Sequence, residues 1–180
     1  GNTPPATRVP GITTNDVAGD LVIDADEQGA VVVTGTTSGI EPGQVVTVAI
    51  VGTNRTATAT GTVNADGTWS VTVGASALDD GTAGVQASVE NQDGLFAASF
   101  EDGILIDTTS VTPSGLDVSD DGTTVIGTAE PGATVEVRDP EGNVVGTGTA
   151  GTDGSFSIPL TDPQTNGEEL SVVATDPAGN

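Results

Sequence analysis

Asp20, Asp24, Asp26 and Glu27 crowd into the stretch GDLVIDADEQG, beside the apolar Leu21, Val22 and Ile23. Hard cations take several oxygens from one compact loop, and carboxylates a few residues apart can supply them. The spacing is not that of the EF-hand loop, so a helix–loop–helix calcium site is excluded. A second reading is that charges on an edge strand keep one sheet from pairing with another. Further carboxylates lie past the middle of the chain. There Asp107, in ILIDTTSVTP, follows Glu101 and Asp102 and precedes Asp117, Asp120 and Asp121 in GLDVSDDGTT. If these loops converge where one folded body meets the next, unpaired carboxylates repel unless a cation bridges them. The alternative is a plain turn in SDDGTT, its aspartates chosen for hydrogen bonds to their own backbone.

The residues that are missing narrow the chemistry. There is no Cys, His, Met or Tyr, and the three cations are Arg8, Arg55 and Arg138. Without imidazole or thiolate, zinc, copper and iron–sulfur sites lose their usual ligands, and oxygen-ligated calcium is the metal left to consider. The absence of lysine removes lysine-based isopeptide cross-links. No nucleophile has a base near it. A carboxylate pair could hydrolyse a glycoside, but three Phe and one Trp do not suggest an aromatic-lined cleft. The chain is therefore read as a non-enzyme without a small-molecule substrate. A net charge of −23 excludes nucleic acid, since nothing neutralises phosphates, and it repels anionic membranes. The natural partners of such a surface are cations, water and salt; solubility or adaptation to brine gives the same composition. The sequence shows no initiator Met, signal peptide or membrane-spanning run, and it reads as a monomeric piece of something longer.

Three further features have a bland reading beside a functional one. Trp69 could be a sugar platform, but its alternation with polar neighbours makes it a core residue. Thr56, Thr58, Thr60 and Thr62 share one face of RTATATGTV, like an ice-binding array or simply a polar outer face. Asn54-Arg55-Thr56 fits the glycosylation sequon, a pattern short enough to arise by chance.

The elements that must carry these residues are strands. Gly (26) and Pro (10) punctuate runs rich in Val and Thr, and no helical period of useful length appears. The chain also repeats itself: ADGTWSVTV at 65–73 answers TDGSFSIPL at 152–160, and TGTTSGIEPGQVVTV at 34–48 answers IGTAEPGATVEV at 126–137. Trp69, Val71 and Val73 alternate with polar residues, as do Phe156, Ile158 and Leu160. That is the pattern of a sheet buried on one face. Repeats of this size with Gly-bearing turns predict an all-β chain of two tandem immunoglobulin-like β-sandwich domains, arranged end to end. The expected divisions are 1–11 as the end of a preceding repeat, 12–107 as the first domain and 108–180 as the second. The chain starts GNTPP and ends DPAGN, so a parent array would continue DPAGNTPP. On that expectation the last strand of the second domain resembles residues 3–10.

The motifs together resemble the Ig-like extender repeats of giant bacterial surface adhesins, the biofilm-associated and RTX type exported by type I secretion. The matching elements are Asp20…Ile23-Asp24…Glu27, Val33 to Val48, Ala65 to Val73 and Ile106-Asp107-Thr108-Thr109. In the second half they are Gly127 to Val135, Asp153 to Ser157 and Ala174 to Asn180. The resemblance implies a spacer at the bacterial cell surface, outer-membrane-anchored through its parent, projecting an adhesive tip for attachment and biofilm formation. Its partners would be neighbouring Ig-like repeats of the same chain. It also implies calcium at or near domain junctions, held by Asp20, Asp24 and Glu27 at the head of the first domain, Asp107 at the joint, and Asp176 and Asn180 at the tail. Asp26, Asp93, Asp102, Asp120 and Asp121 are further candidates. There are departures: Asp24 stands where the repeats usually carry Asn, and the first domain's counterpart of the TDPAGN loop reads ENQDGL, with Asn91 and Leu95 in place of Asp and Asn. That loop is a metal site only if Asp93 substitutes. The alternatives are a calcium-dependent module that grips sugar or ice, and an accessory domain of a secreted hydrolase.

Overall fold

The computed structural model describes residues 8–180. The expected preceding repeat (1–11) and the strand likened to residues 3–10 thus lie largely outside the described residues. The chain divides into two compact units, Gly1–Thr108 and Thr109–Asn180. Both are all-β sandwiches of immunoglobulin-like type.

The first unit runs β1 (Gly11–Thr14), a 3₁₀ turn (Val17–Gly19), β2 (Val22–Ile23), β3 (Val31–Ser38), β4 (Val45–Val51), β5 (Thr56–Thr62), β6 (Thr68–Val73), β7 (Gly81–Glu90) and β8 (Phe96–Ile106). One sheet has the order β1-β3-β6, the other β2-β8-β7-β4-β5. Alternation turns Val46, Val48 and Ile50 of β4, Val71 and Val73 of β6, and Val85, Ala87 and Val89 of β7 into the core. Trp69 is 1% exposed and belongs to that core, while the threonines of β5 face outward. Gly35 lies opposite Trp69 across the β3–β6 pair, and a Cβ there would sit 2.7 Å from the indole and 1.8 Å from the Thr13 carbonyl oxygen. The repeated Gly-Thr motif is therefore a seat for the aromatic ring.

The second unit runs β9 (Ser114–Val118), β10 (Thr124–Thr128), β11 (Thr134–Arg138), β12 (Val144–Thr149), β13 (Ser155–Pro159) and β14 (Ser171–Thr175). Its sheets are β13-β10-β9 and β12-β11-β14. Phe156 takes the place of Trp69, and Gly127 opposite it leaves the same room, with a virtual Cβ 2.7 Å from the ring. The core is smaller: Val125, Val135, Val137, Phe156 and Ile158, with alanines and Val145 around them.

Candidate functional site

The acidic loop of the first unit is built by its own hydrogen bonds. Asp20 accepts from the Val22 N–H at 3.0 Å, and Asp24 Oδ1 accepts from Asp26 and Glu27 N–H, both at 2.9 Å. Glu27 reaches back toward the Asp24 N–H at 3.5 Å, closing a turn in the manner of a capping box. Partial burial holds the Glu27 carboxyl above its ordinary range, and the charges of Asp24, Asp20 and Asp26 push the same way against the Asp24 hydrogen bond. Asp26 is exposed beside them. Ala18 and Leu21 in this loop have positive φ, at 56° and 68°, values that branched or bulky residues rarely adopt. Glu101 was overlooked as a site residue. It points inward from β8, its Oε2 is buried with no hydrogen-bond partner among the described residues, and burial followed by the Asp16 charge raises its pKa.

The remaining candidates of the first unit sit apart. Asp102 is exposed on β8, and Asp93 is exposed in the β7–β8 loop. Asp107 follows β8 directly, its N–H donating to the Ile23 carbonyl at 3.0 Å. The next residue is held by Asp80, whose Oδ1 accepts from the Thr108 N–H at 3.1 Å and hydroxyl at 2.7 Å.

In the second unit Asp121 is absorbed by its turn. Its Oδ1 accepts from the Ser119 hydroxyl at 2.6 Å and the Thr123 hydroxyl at 2.7 Å, bonds that hold its pKa down. Asp120, beside it, is exposed. The loop after β14 is different. Asp176 is 6% exposed, one of two buried polar residues, and its two oxygens accept from the Asn180 N–H at 2.8 Å and side-chain N–H at 2.9 Å. A carboxylate oxygen of Glu130, in the loop after β10, lies within 4.8 Å of one from Asp176. Glu130 was read only as part of a Glu-Pro-Gly turn; its recurrence as Glu41 was the available signal. The one cation of this unit, Arg138, donates to Glu136 at 2.7 Å. Two oxygen-rich side chains held this close are chemically suited to a hard cation, and ill suited to softer metals.

The first unit carries the same loop with the charge removed. Asn91, 3% exposed, accepts from the Asp93 and Leu95 N–H groups at 3.0 and 2.9 Å and donates to the Arg8 carbonyl at 3.3 Å. Glu41, the counterpart of Glu130, accepts from the Gln92 N–H at 3.0 Å. That bond, its own backbone and, more weakly, the Arg8 charge hold its pKa down. The first copy thus balances its carboxylate within the protein, whereas the second sets two carboxylates together.

Residues 111–180 match the family model described as the bacterial Ig domain. A solved structure of a Ca²⁺-stabilised adhesin that helps an Antarctic bacterium reach out and bind ice aligns with 97% of this chain and 47% of its own, at 26% identity and a TM-score of 0.54. The chain belongs with the Ig-like repeats of large bacterial adhesins. A tetra-tandem repeat from the extending region of a large adhesion protein is 29% identical over 96% of this chain and 46% of its own, with a TM-score of 0.45. A 1.5-MDa bacterial ice-binding adhesin, solved for its retention at the host cell surface, is 25% identical over 97% and 62%, with a TM-score of 0.48. This repeat pair spans about half the length of the first two of these chains. No curated protein matches it. Among the described residues no helix is long and apolar enough to cross a membrane.

Proposed function

We propose that this repeat pair is a spacer in a large bacterial surface adhesin, carrying an adhesive tip away from the cell, and that calcium stiffens it. The role is mechanical rather than catalytic. The observation that carries the calcium reading is the buried Asp176 with Glu130 within 4.8 Å, in the unit whose single cation is engaged elsewhere. Likeness to a Ca²⁺-stabilised adhesin supports it. Glu130, Asp176 and the oxygens of the Asp176–Asn180 loop would hold the ion. Asp107, which the sequence sets at the joint, would add a carboxylate from the other domain. The Asp20–Glu27 loop is a second candidate, and the neighbours in the array are further Ig-like repeats on the bacterial surface, in the setting of attachment and biofilm formation.

A bound ion stabilises the folded state by mass action, about 2.7 kcal/mol at a hundred times its Kd. Melting in calcium, in EDTA and in sodium at equal ionic strength separates site filling from screening. Calcium is expected to raise the melting temperature well above the sodium value, and equal effects of the two salts sink the reading. Small-angle scattering is expected to give a longer, narrower distance distribution in calcium than in EDTA, and Asp107→Ala to remove most of that difference.

A further inference from the structure

The two units share one plan, and one strand of that plan has a single representative. In the first unit β7 lies between β4 and β8. In the second, β14 stands where β7 does: Ala174 pairs with Val135 of β11 as Val89 pairs with Val46 of β4. Among the described residues, however, β14 has β11 as its one hydrogen-bonded neighbour.

The turn that delivers a further strand is already formed. Asp176 N–H donates to the Asn180 carbonyl at 3.0 Å and Gly179 N–H to the Asp176 carbonyl at 3.0 Å, as Asn91 does with Leu95 at 2.9 Å and Gly94 with Asn91 at 3.0 Å. Leu95 is the residue before β8. The backbone N–H of Asp176 thus points to the side of β14 away from β11. Backbone groups alternate sides along a strand, and the β11–β14 pairing runs from Thr175 to Ser171 without a bulge. Ala174 and Val172 therefore present their N–H and C=O groups to that same side.

The side chains agree. Val85, Ala87 and Val89 are at most 2% exposed, whereas their counterparts Leu170, Val172 and Ala174 are only half-buried. On the facing sheet, Leu116 and Val118 of β9 are 48% and 40% exposed. In the first unit the corresponding β1 meets β8, through a Thr14–Ser99 hydroxyl contact. A groove of about 300 Å³ opens between Leu116, Val118 and Val125 on one side and Leu170 and Val172 on the other.

We propose that the β14 edge and this groove form a strand-acceptor site. It takes one antiparallel polypeptide strand with the chemistry of β8, directed as a continuation from Asn180, with small or apolar side chains facing inward opposite Ala174, Val172 and Leu170. Main-chain hydrogen bonds supply affinity and the inward side chains supply register. A second β14 is a poor occupant, because Glu168, Glu169 and Asp176 would meet their own kind across the seam.

The probe is a synthetic peptide of residues 96–106 carrying Glu101→Gln and Asp102→Asn, added to the intact chain. Hydrogen exchange is read at single amides. At saturation the Val172 and Ala174 amides are expected to slow at least about tenfold, while Ser171 and Val173, already facing β11, stay as they were. The same segment fused directly after Asn180 is expected to protect the same two amides without added peptide. Val172→Pro removes the donor on the open side but not the pairing to β11, so it should keep the Val173 amide protected and lose the response. Unchanged Val172 and Ala174 exchange with both peptide and fusion overturns the proposal. So does an undiminished response in Val172→Pro, or protection that grows with protein concentration alone, which would make the occupant a second copy.

Discussion

Asp176→Asn makes the second unit's loop like the first unit's, and its effect should change sign with calcium. Two unit charges within 4.8 Å repel by about 1 kcal/mol at the dielectric of water and about 3 kcal/mol at an effective value near 20. Asparagine removes that repulsion toward Glu130. It keeps an oxygen for the Asn180 N–H, and a turn of the Asn180 amide restores the second bond. Asn91 shows that the loop accepts the residue while buried at 3% exposure. In EDTA the variant is thus expected to be more stable than the parent by about 1–3 kcal/mol, a rise of roughly 5–20 °C for a domain of this size. In saturating calcium the order should reverse, because the variant forfeits a charged ligand and the parent gains about 2.7 kcal/mol at a hundredfold excess over Kd. Calorimetry of both proteins in EDTA and calcium measures all four values. If Asp176→Asn melts lower than the parent in both solutions, Asp176 is simply the closure of its own loop, and the electrostatic argument is refuted.

Glu101→Gln should stabilise the first domain at pH 7. Burial raises the folded pKa of Glu101, so the folded state binds more protons than the unfolded and stability falls as pH rises through that raised value; a melting series from pH 4.5 to 7 should lose that slope in the variant. Asp121→Asn acts in the other direction. Its folded pKa is depressed, so its contribution is present above the unfolded pKa and lost as pH falls through the folded one, and denaturation curves below pH 4 should flatten in the variant. Gly35→Ala should destabilise the first domain by about 3 kcal/mol or more through overpacking against Thr13 and Trp69, reported by an early red shift of the single tryptophan's emission on heating. Gly127→Ala should leave that emission unchanged while lowering the melting of the second domain.

Most of the strand framework was legible in the residues. Period-2 alternation in TWSVTV and SFSIPL set which side chains turn inward, because successive Cβ atoms on a strand point to opposite faces. Trp69 buried and Thr56 to Thr62 exposed are consequences of that parity alone. Composition likewise excluded imidazole and thiolate chemistry, since side chains that are absent cannot be supplied by folding. What parity and composition do not encode is which distant loops meet. Glu130 and Asp176 are far apart in sequence, and they come together only because β11 pairs with β14 and each strand leaves from the same end of the sheet. The spacing of Asp120 and Asp121 looked as ligand-like as any, yet Asp121 spends its oxygen on Ser119 and Thr123, a choice made by local backbone geometry. Glu101 reads as an ordinary surface charge until the register of β8 against β7 turns it inward. The Gly-Thr repeat was visible as a pattern, but its cause, an aromatic ring seated on Gly35 and again on Gly127, needed the pairing of β3 with β6 and of β10 with β13. Carboxylate chemistry was therefore set by residue type, while the choice among carboxylates was made by long-range strand pairing, which decides the desolvation and the neighbours that each charge meets.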